Sequence, residues 1–512
     1  MKKNLLLGTI LLSFLSFFSP NVLAQASDTF TYVVTEDPQS TNPLTAADRG
    51  GYMYKNLIYS PLVKTLTDGT KVNVLAESVD VSEDGLKMTF NLRKGVKWSD
   101  GEDFNADDVL FTYGIFDHES YGDNESLYID GEKIKINKLD DYTIEFVLPK
   151  ASAAAINLLP SLAHILPEHI YKDVQDFSVN DFDIDPVGTG PYVLEEYKRG
   201  EYLKFKANVN YFEGKPNIPY VVMRVVPDSE AAKTALKTGE VDASLSSPSQ
   251  LDEFQEAGLD TYPFSEGRVG YVGFNMLSDK VQDKNLRKAI LYALNKDEIN
   301  LAAYGSKDLY QDADSIFAPN HPYYSDTVEK YSHDLEKAKE LIKTAGIDKL
   351  DLSIVYTAGD ANSEKIATLM KEQLNEIGIN LELNPADPAA MYAELENPES
   401  TKYDLYMNGY VLGMEPDEYR YMFSTKGAYN FSHFNLPQVD ELFNKSRETL
   451  DLDDRKLVYQ EIQELLAEEA IFYPYAVGYS MFVSNPRIKG YEEAGFAPIY
   501  VINDFSKLKI EE

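Results

Sequence analysis

The chain is too long to be organised around a single hydrophobic core. Its 512 residues exceed the size at which one core stops growing, so we predict two or three domains. A hydrophobic fraction of 44% is ordinary for a globular protein. The sequence has no internal repeat and no low-complexity linker. We therefore expect the domain boundaries to lie in ordinary loops, as in a chain that crosses between its domains more than once.

Residues 1–26 have the pattern of a secretory signal peptide. Lys2 and Lys3 precede an apolar run over residues 5–18, and the small-residue series at 24–26 offers a cleavage site. The run is shorter than the roughly 20 residues that a helix needs to span a bilayer, which argues against a permanent anchor. We predict export across the cytoplasmic membrane, and no later apolar run is long enough to span one.

The absence of cysteine and the strong acidity exclude several classes of protein. With no cysteine there are no disulfides, no thiolate metal sites, no cysteine nucleophile and no lipidated-cysteine anchor. We therefore expect a periplasmic protein, with an extracellular or surface-associated one as the alternative. The formal net charge of −36 comes from 84 acidic and 48 basic residues, which argues against nucleic-acid binding.

Hydrophobic periodicity predicts an alternation of strands and helices. Alternating and β-branched residues indicate strands near 30–34, 87–93, 142–148, 220–226 and 471–483. Apolar residues at helical spacing indicate helices near 105–113, 229–238, 285–295, 334–345, 363–377, 438–448 and 453–468. Asn105 has the position of an N-cap. A strand at 352–356, a helix at 363–377 and a strand at 379–383 form the pattern of a parallel crossover unit.

Five sequence blocks, in order, resemble the bacterial extracytoplasmic solute-binding proteins of family 5, which serve oligopeptide, dipeptide and nickel ABC importers. The most specific block contains Leu92-Arg-Lys-Gly-Val-Lys-Trp-Ser-Asp-Gly101 and Ala106-Asp-Asp-Val109. The blocks lie at 75–109, 186–216, 235–242, 272–298 and 410–466. Together they span nearly the whole chain after the signal, so the resemblance covers the complete fold.

The resemblance implies an α/β fold like that of the periplasmic binding proteins (type II, cluster C), with two lobes hinged around a cleft and three domains. Domain I would consist of residues 27–57, 187–274 and 484–512, domain II of 58–186 and domain III of 275–483. The hinge would involve the crossings near 274 and 484. Domain II would pack on the outside and hold little ligand, so we interpret Trp98 as a packed turn residue.

The implied function is capture of an oligopeptide for an ABC importer. The expected partners are a peptide ligand and membrane permease subunits, with the protein itself a monomer that needs no cofactor, no metal and no catalytic residue. The alternatives are the same role with an oligosaccharide or a nickel complex as solute, and a secreted hydrolase. No Gly-x-Ser-x-Gly elbow supports a hydrolase, the six histidines show no His-x-x-x-His pair, and a single tryptophan is few for stacking sugar rings.

A protein that binds many peptides has to recognise the peptide main chain, which strand edges do by β-augmentation. By resemblance, these edges are residues 47–50 and 408–413. Many relatives place an aspartate for the ligand ammonium three residues after a tryptophan, but here those positions are Tyr410 and Gly413. Glu415, Asp417 and Asp48 are the replacement candidates, or else solvated loop charges, and Arg49 is a candidate for a ligand carboxylate or a surface salt bridge. The predicted ligand-binding residues are Ala47, Asp48, Arg49, Gly50, Asn408, Gly409, Tyr410, Val411, Leu412, Gly413, Glu415 and Asp417.

Overall fold

A computed structural model of the protein describes residues 28–121, 126–182, 185–499 and 501–511, so the predicted signal peptide at 1–26 lies outside the described residues. The strands of the described residues are β1 (Thr29–Val34), β2 (Val63–Thr65), β3 (Lys71–Asn73), β4 (Ala76–Val81), β5 (Lys87–Leu92), β6 (Tyr128–Ile129), β7 (Glu132–Lys133), β8 (Lys135–Asp140), β9 (Thr143–Val147), β10 (Tyr192–Lys198), β11 (Tyr202–Ala207), β12 (Tyr220–Val225), β13 (Ala243–Ser246), β14 (Asp260–Phe274), β15 (Tyr310–Asp312), β16 (Leu350–Thr357), β17 (Ile379–Ala386), β18 (Leu405–Tyr410), β19 (Phe472–Ser484), β20 (Ile488–Lys489), β21 (Phe496–Ala497), β22 (Val501–Ile502) and β23 (Lys509–Ile510).

The α-helices of the same residues are α1 (Arg49–Ile58), α2 (Ala106–Ile115), α3 (Ala153–Leu158), α4 (Glu168–Tyr171), α5 (Ser229–Lys237), α6 (Leu251–Glu256), α7 (Lys284–Ala293), α8 (Lys296–Tyr304), α9 (Leu335–Thr344), α10 (Ala361–Asn375), α11 (Pro388–Leu395), α12 (Arg420–Phe423), α13 (Pro437–Glu448), α14 (Leu452–Glu468) and α15 (Tyr491–Ala494). Short 3₁₀ turns connect some of them, including Pro416–Tyr419. In the described part of the chain, no helix combines the length and the apolar character that crossing a membrane requires.

One mixed sheet runs through most of the molecule. Its strand order is β10-β11-β12-β1-β13-β19-β14-β18-β16-β17, and β15 pairs with β19 beside this path. Strands β16 and β17 are parallel and in register from Leu350↔Ile379 onward, which confirms the predicted crossover unit around α10. A separate antiparallel sheet has the order β4-β5-β9-β8.

The long strands β14 and β19 connect the two ends of the large sheet. They pair antiparallel from Asp260↔Ser484 to Gly273↔Phe472, and the register shifts between Ser265 and Val269. Before the shift β19 also pairs with β13, and after it β14 also pairs with β18. A register shift of this kind bends a strand locally. The irregular stretch that separates the two halves of the sheet is therefore at 265–269, earlier than the crossing expected near 274.

The buried apolar residues form separate groups that follow the order of the chain. One group lies within residues 62–165 and contains the fully buried Trp98. Another combines residues 30–59, 192–264 and 482–508 with a few residues between 115 and 177. Two more cover opposite faces of the sheet at residues 269–477, because Val272 and Phe274 of β14 belong to one and Val269 and Tyr271 to the other.

The sequence block around Trp98 is a folding element rather than a binding element. Trp98 donates its indole N–H to Asp108 over 3.3 Å, and the same carboxylate accepts the N–H groups of Asn105 and Glu168. Asn105 caps α2 as predicted, and together with Asp108 it forms a capping box. The interpretation of Trp98 as a packed aromatic is confirmed by its burial.

Candidate functional site

A cavity of about 920 Å³ lies between two distant parts of the chain. One wall comes from residues 126–162, which include β6 and α3, and the other from residues 417–448, which include α12 and α13. Sites that enclose small ligands typically have roughly 300–1,000 Å³. The cavity therefore has the size of a ligand site, and residues 126–162 form half of it, although we expected that part of the chain to hold little ligand.

The two walls of the cavity are joined by an ion pair. Lys150 donates to Oε1 of Glu448 over 2.5 Å and to Oδ2 of Asp130 over 3.2 Å. All three side chains line the cavity and are largely exposed to it. Because Lys150 belongs to one wall and Glu448 to the other, the two walls are in direct contact at this point.

The turn Pro416–Tyr419 carries three neighbouring carboxylates, two of which are neutralised by arginines. Glu415 caps the turn and forms a buried ion pair with Arg455 of α14. Asp417 accepts two hydrogen bonds from Nε of Arg447 of α13, the shorter at 2.9 Å. Both carboxylates were candidates for binding a ligand ammonium, with a solvated loop charge as the alternative. The solvated alternative is wrong, because both side chains are buried, and each carboxylate already has an arginine as its partner.

Glu418 differs from its two neighbours, because it has no arginine or lysine within ion-pair distance in the described part of the chain. Its side chain is half-buried and lines the cavity. Desolvation, followed by the charges of Glu415 and Asp417, raises the pKa of Glu418 to about 7, although a backbone hydrogen bond from Gly413 and the charge of Lys71 on β3 act in the opposite direction. Glu418 is therefore a carboxylate that changes its charge near neutral pH.

Helix α1 presents a polar stripe toward this region. Desolvation raises the pKa of the Tyr52 phenol, and the negative charge of the nearby Glu418 raises it further. Lys55 lies 3.9 Å above the Tyr52 ring and donates to the carbonyl of Ala46 over 3.1 Å. Desolvation lowers the pKa of Lys55 to about 8. Helix α1 and the turn at 416–419 thus face one another, which brings together the two regions that the sequence pointed to.

Residues 47–50 do not form a strand edge, contrary to the prediction. Ala47 is exposed, Asp48 is the N-cap of α1 and accepts the Gly51 N–H over 3.2 Å, and Gly50 is buried in the first helical turn. The guanidinium of Arg49 contacts Glu266 at 3.0 Å and the Ile499 carbonyl at 2.6 Å. Of the two predictions for Arg49, a ligand carboxylate or a salt bridge, the structure shows the salt bridge.

Only the first half of the segment 408–413 is a strand. Asn408, Gly409 and Tyr410 end β18, while Val411, Leu412 and Gly413 follow it. Strand β16 pairs only with Leu405 and Tyr406, so this side of β18 has no strand partner beyond Tyr406 in the described residues. There the Gly409 N–H donates to Oδ1 of Asn408 and its carbonyl accepts from Arg268.

The side chain of Tyr410 belongs to the hydrophobic core. Its side chain is 7% exposed, packs against Tyr419 and Phe423, and donates its hydroxyl to the carbonyl of Ile316. Leu412 packs at the border of the same group of buried residues, and Val411 is half-buried. Tyr410 was predicted to contact a ligand as part of a strand edge, and the burial of its side chain leaves the main chain to make that contact.

A second, smaller cavity of about 250 Å³ lies beside the end of β18. It is lined by Arg268 of β14, Asn408 of β18, Tyr392 of α11 and the N-terminal residues of α10. The parallel strands β16 and β18 both end here, which is where open α/β sheets usually bind ligands. The unpaired edge of β18 is thus next to a space that a side chain could enter.

Four features of the site were not predicted from the sequence: Glu418, Tyr52, Lys71 and the wall at 126–162. Glu418 follows two residues that were candidates, but nothing in the sequence tells which of three neighbouring carboxylates lacks an arginine. Tyr52 and Asn56 fall at helical spacing after Asp48, so an N-cap followed by an amphipathic helix was a signal that could have found them.

Comparison with known proteins relates the whole chain to one group. A sequence profile described as bacterial extracellular solute-binding proteins, family 5 (middle), matches residues 71–431. The oligopeptide-binding protein AppA of Bacillus subtilis is 29% identical over 469 residues, which cover 86% of this chain and 84% of that protein. The crystal structure of the ABC transporter substrate-binding protein CtaP of Listeria monocytogenes superposes with a TM-score of 0.91 at 33% identity, covering 94% of this chain and 99% of that one. A putative peptide-binding protein AppA from Clostridium difficile gives 0.86 at 29% identity, with coverage of 94% and 100%. These superpositions confirm the predicted α/β fold of the solute-binding proteins.

Proposed function

The chain belongs to family 5 of the bacterial extracellular solute-binding proteins, and on that premise we propose that it is the substrate-binding component of a peptide ABC importer. It captures an oligopeptide outside the cytoplasmic membrane, in the cleft between its lobes, and delivers it to a permease of two membrane subunits. The protein acts as a monomer and does no chemistry on its ligand. The observation that carries this proposal is the cavity of about 920 Å³ between residues 126–162 and 417–448.

The cavity and the edge of β18 together suit an extended peptide. Backbone groups of Met407–Tyr410 on the side away from β14 are without a strand partner in the described residues, so a ligand main chain can pair there in place of the Asn408 and Arg268 side chains that bond to Gly409. Such pairing is independent of the ligand's side chains. The adjoining cavity of about 250 Å³ then receives one side chain of the ligand.

Capture requires the cleft to open and close. The bend at 265–269 of β14 lies between the two halves of the large sheet, and Arg49 of α1 pairs there with Glu266, which also accepts from Ser480 of β19. We place the hinge at this point, with the Lys150 and Glu448 contact closing the cleft. The closed form is the one that docks on the permease.

The proposal is tested by isothermal titration of the purified protein, refolded from denaturant to remove any bound ligand. Penta-alanine and a mixture of random pentapeptides should bind at one site per chain, and maltopentaose and Ni²⁺ should not. Ala155→Trp, which fills the cavity from α3, should abolish peptide binding, whereas Ala231→Trp on the exposed face of α5 should not. Binding of maltopentaose or Ni²⁺ without binding of any peptide would overturn the proposal.

A further inference from the structure

Five of the seven charged residues that line the large cavity pair with one another, and Glu418 and Arg420 form no ion pair in the described part of the chain. Four carboxylates line it. Asp130 and Glu448 are paired with Lys150, and Asp417 is paired with Arg447. Among the described residues that line this cavity, Glu418 is the one carboxylate that has no cationic partner.

The carboxylate of Glu418 occupies the space that a side chain at position 413 would fill. A Cβ atom on Gly413 would collide with Oε2 of Glu418. Because residue 413 is glycine, the carboxylate lies directly against the main chain and accepts a hydrogen bond from the Gly413 N–H. This contact orients the carboxylate but leaves its negative charge without a counter-charge.

The surroundings of Glu418 are unfavourable for an uncompensated anion. From its own turn, the charges of Glu415 and Asp417 act against ionisation. From α1 it faces the phenol of Tyr52, and from β3 it faces Lys71, which interacts with Glu418 only at long range. The Lys71 ammonium instead donates to Thr65 and to the carbonyl of Asn157, at 2.9 and 2.7 Å. A partly desolvated carboxylate of this kind is stabilised when a bound cation pairs with it.

We propose that Glu418 binds the terminal ammonium group of the peptide ligand, and that its placement against Gly413 fixes where the ligand's N-terminus lies. This inference rests on the proposed function. It assigns to Glu418 the role that we expected of Glu415, Asp417 or Asp48. Glu418 differs in this from Glu415 and Asp417, which each have an arginine as partner.

A monovalent ammonium fits the site better than a metal ion. Metal sites in proteins use several ligands converging on one point, and no group of three or more His, Cys, Asp or Glu side chains with that geometry occurs in the described ranges. Glu418 offers one carboxylate, and the neighbouring carboxylates are occupied by arginines. A single carboxylate with one backbone donor is suited to accept hydrogen bonds from one ammonium group.

The test compares penta-alanine with N-acetyl-penta-alanine, which has the same chain but no ammonium. For the wild-type protein at pH 7.5, titration should show that the free amine form binds roughly 10- to 100-fold more tightly. Glu418→Gln should reduce this preference to about onefold while leaving the affinity for the acetylated peptide unchanged. Asp130→Asn removes a carboxylate that lines the same cavity and is paired with Lys150, so it should keep the preference.

The pH dependence gives a second readout. Lowering the pH from 7.5 to 5.5 protonates Glu418 and should weaken binding of the free amine peptide by roughly tenfold in the wild type but not in Glu418→Gln. If wild type binds both peptides equally well, or if Glu418→Gln keeps the preference, the inference is wrong while peptide capture stands. If neither peptide binds, the proposed function itself fails, and the inference with it.

Discussion

Arg455 and Glu415 form an ion pair that is almost completely buried, with side chains 1% and 4% exposed. The arginine also donates from Nε to the Ser446 carbonyl over 3.0 Å and contacts the Tyr323 hydroxyl at 3.3 Å. The pair attaches the turn at 416–419 to α14, across 40 residues of sequence. The position of Glu418 in the cavity therefore depends on a contact between two side chains that do not line the cavity.

Breaking this pair should destabilise the protein strongly. Removing one partner of a buried ion pair leaves an uncompensated charge, so Arg455→Met should lower the free energy of unfolding by about 3–5 kcal/mol. Urea unfolding followed by circular dichroism measures the change. Arg199→Met removes the exposed partner of Asp181 and should cost less than about 1 kcal/mol. Equal effects of the two substitutions would contradict the structural role given to Arg455.

The ion pair between Lys150 and Glu448 should stabilise the closed cleft rather than the fold. Glu448→Lys places two cations where the walls meet and should shift the protein toward the open form, seen as a larger radius of gyration in X-ray scattering and a weaker affinity for penta-alanine. The unfolding free energy should change by less than about 1 kcal/mol, because both side chains are exposed. The double exchange Lys150→Glu with Glu448→Lys should restore compactness in large part. An unchanged scattering curve for Glu448→Lys would show that this contact does not hold the cleft closed.

Gly267 lies at the bend of β14 with φ of +70°, a conformation that other residues adopt only at a cost. Gly267→Val should destabilise the protein by about 1–2 kcal/mol. It should also weaken peptide binding, since the substitution changes the bend about which the lobes move. Gly258→Val introduces the same kind of strain at a φ of +78° after α6, outside the bend. The comparison measures stability and affinity for both variants, and a similar loss of affinity in both would argue against a hinge at Gly267.

Elements with a strong local signal were predictable from the sequence. The capping pattern at Asn105 predicted α2, and the apolar spacing of 363–377 predicted α10 within two residues of each end. Helix α1 was missed although Asp48, Met53 and Leu57 have the spacing of a capped amphipathic helix, because the resemblance to peptide-binding relatives favoured a strand edge there.

The remaining features depend on contacts between distant residues. Strand β14 was not predicted, since Pro263, Gly267 and Gly270 weaken its strand pattern, and it is stabilised by pairing with β19 roughly 200 residues later. The candidate ligand site likewise depends on contacts between residues that are distant in sequence. Arg447 and Arg455, on two other helices, decide which of the three carboxylates at 415, 417 and 418 has no ion-pair partner. No sequence pattern near these carboxylates indicates which one it is.

Glu418 should make the stability of the unliganded protein depend on pH in a way that Glu418→Gln does not. Its pKa in the folded protein is raised from 4.5 to about 7, so the folded state binds the proton more tightly than the unfolded chain. This contribution to stability is fully present below pH 4.5 and is lost as the pH rises through 7. Relative to Glu418→Gln, the free energy of unfolding of the wild-type protein should therefore fall by about 1–2 kcal/mol between pH 4.5 and 8. This is less than the full pKa shift would give, because the side chain is only half-buried. Thermal unfolding of both proteins across this pH range measures the difference, with Asp130→Asn as the control whose difference from wild type should not follow this curve. A constant difference between wild type and Glu418→Gln would show that Glu418 is ionised throughout and already has a counter-charge.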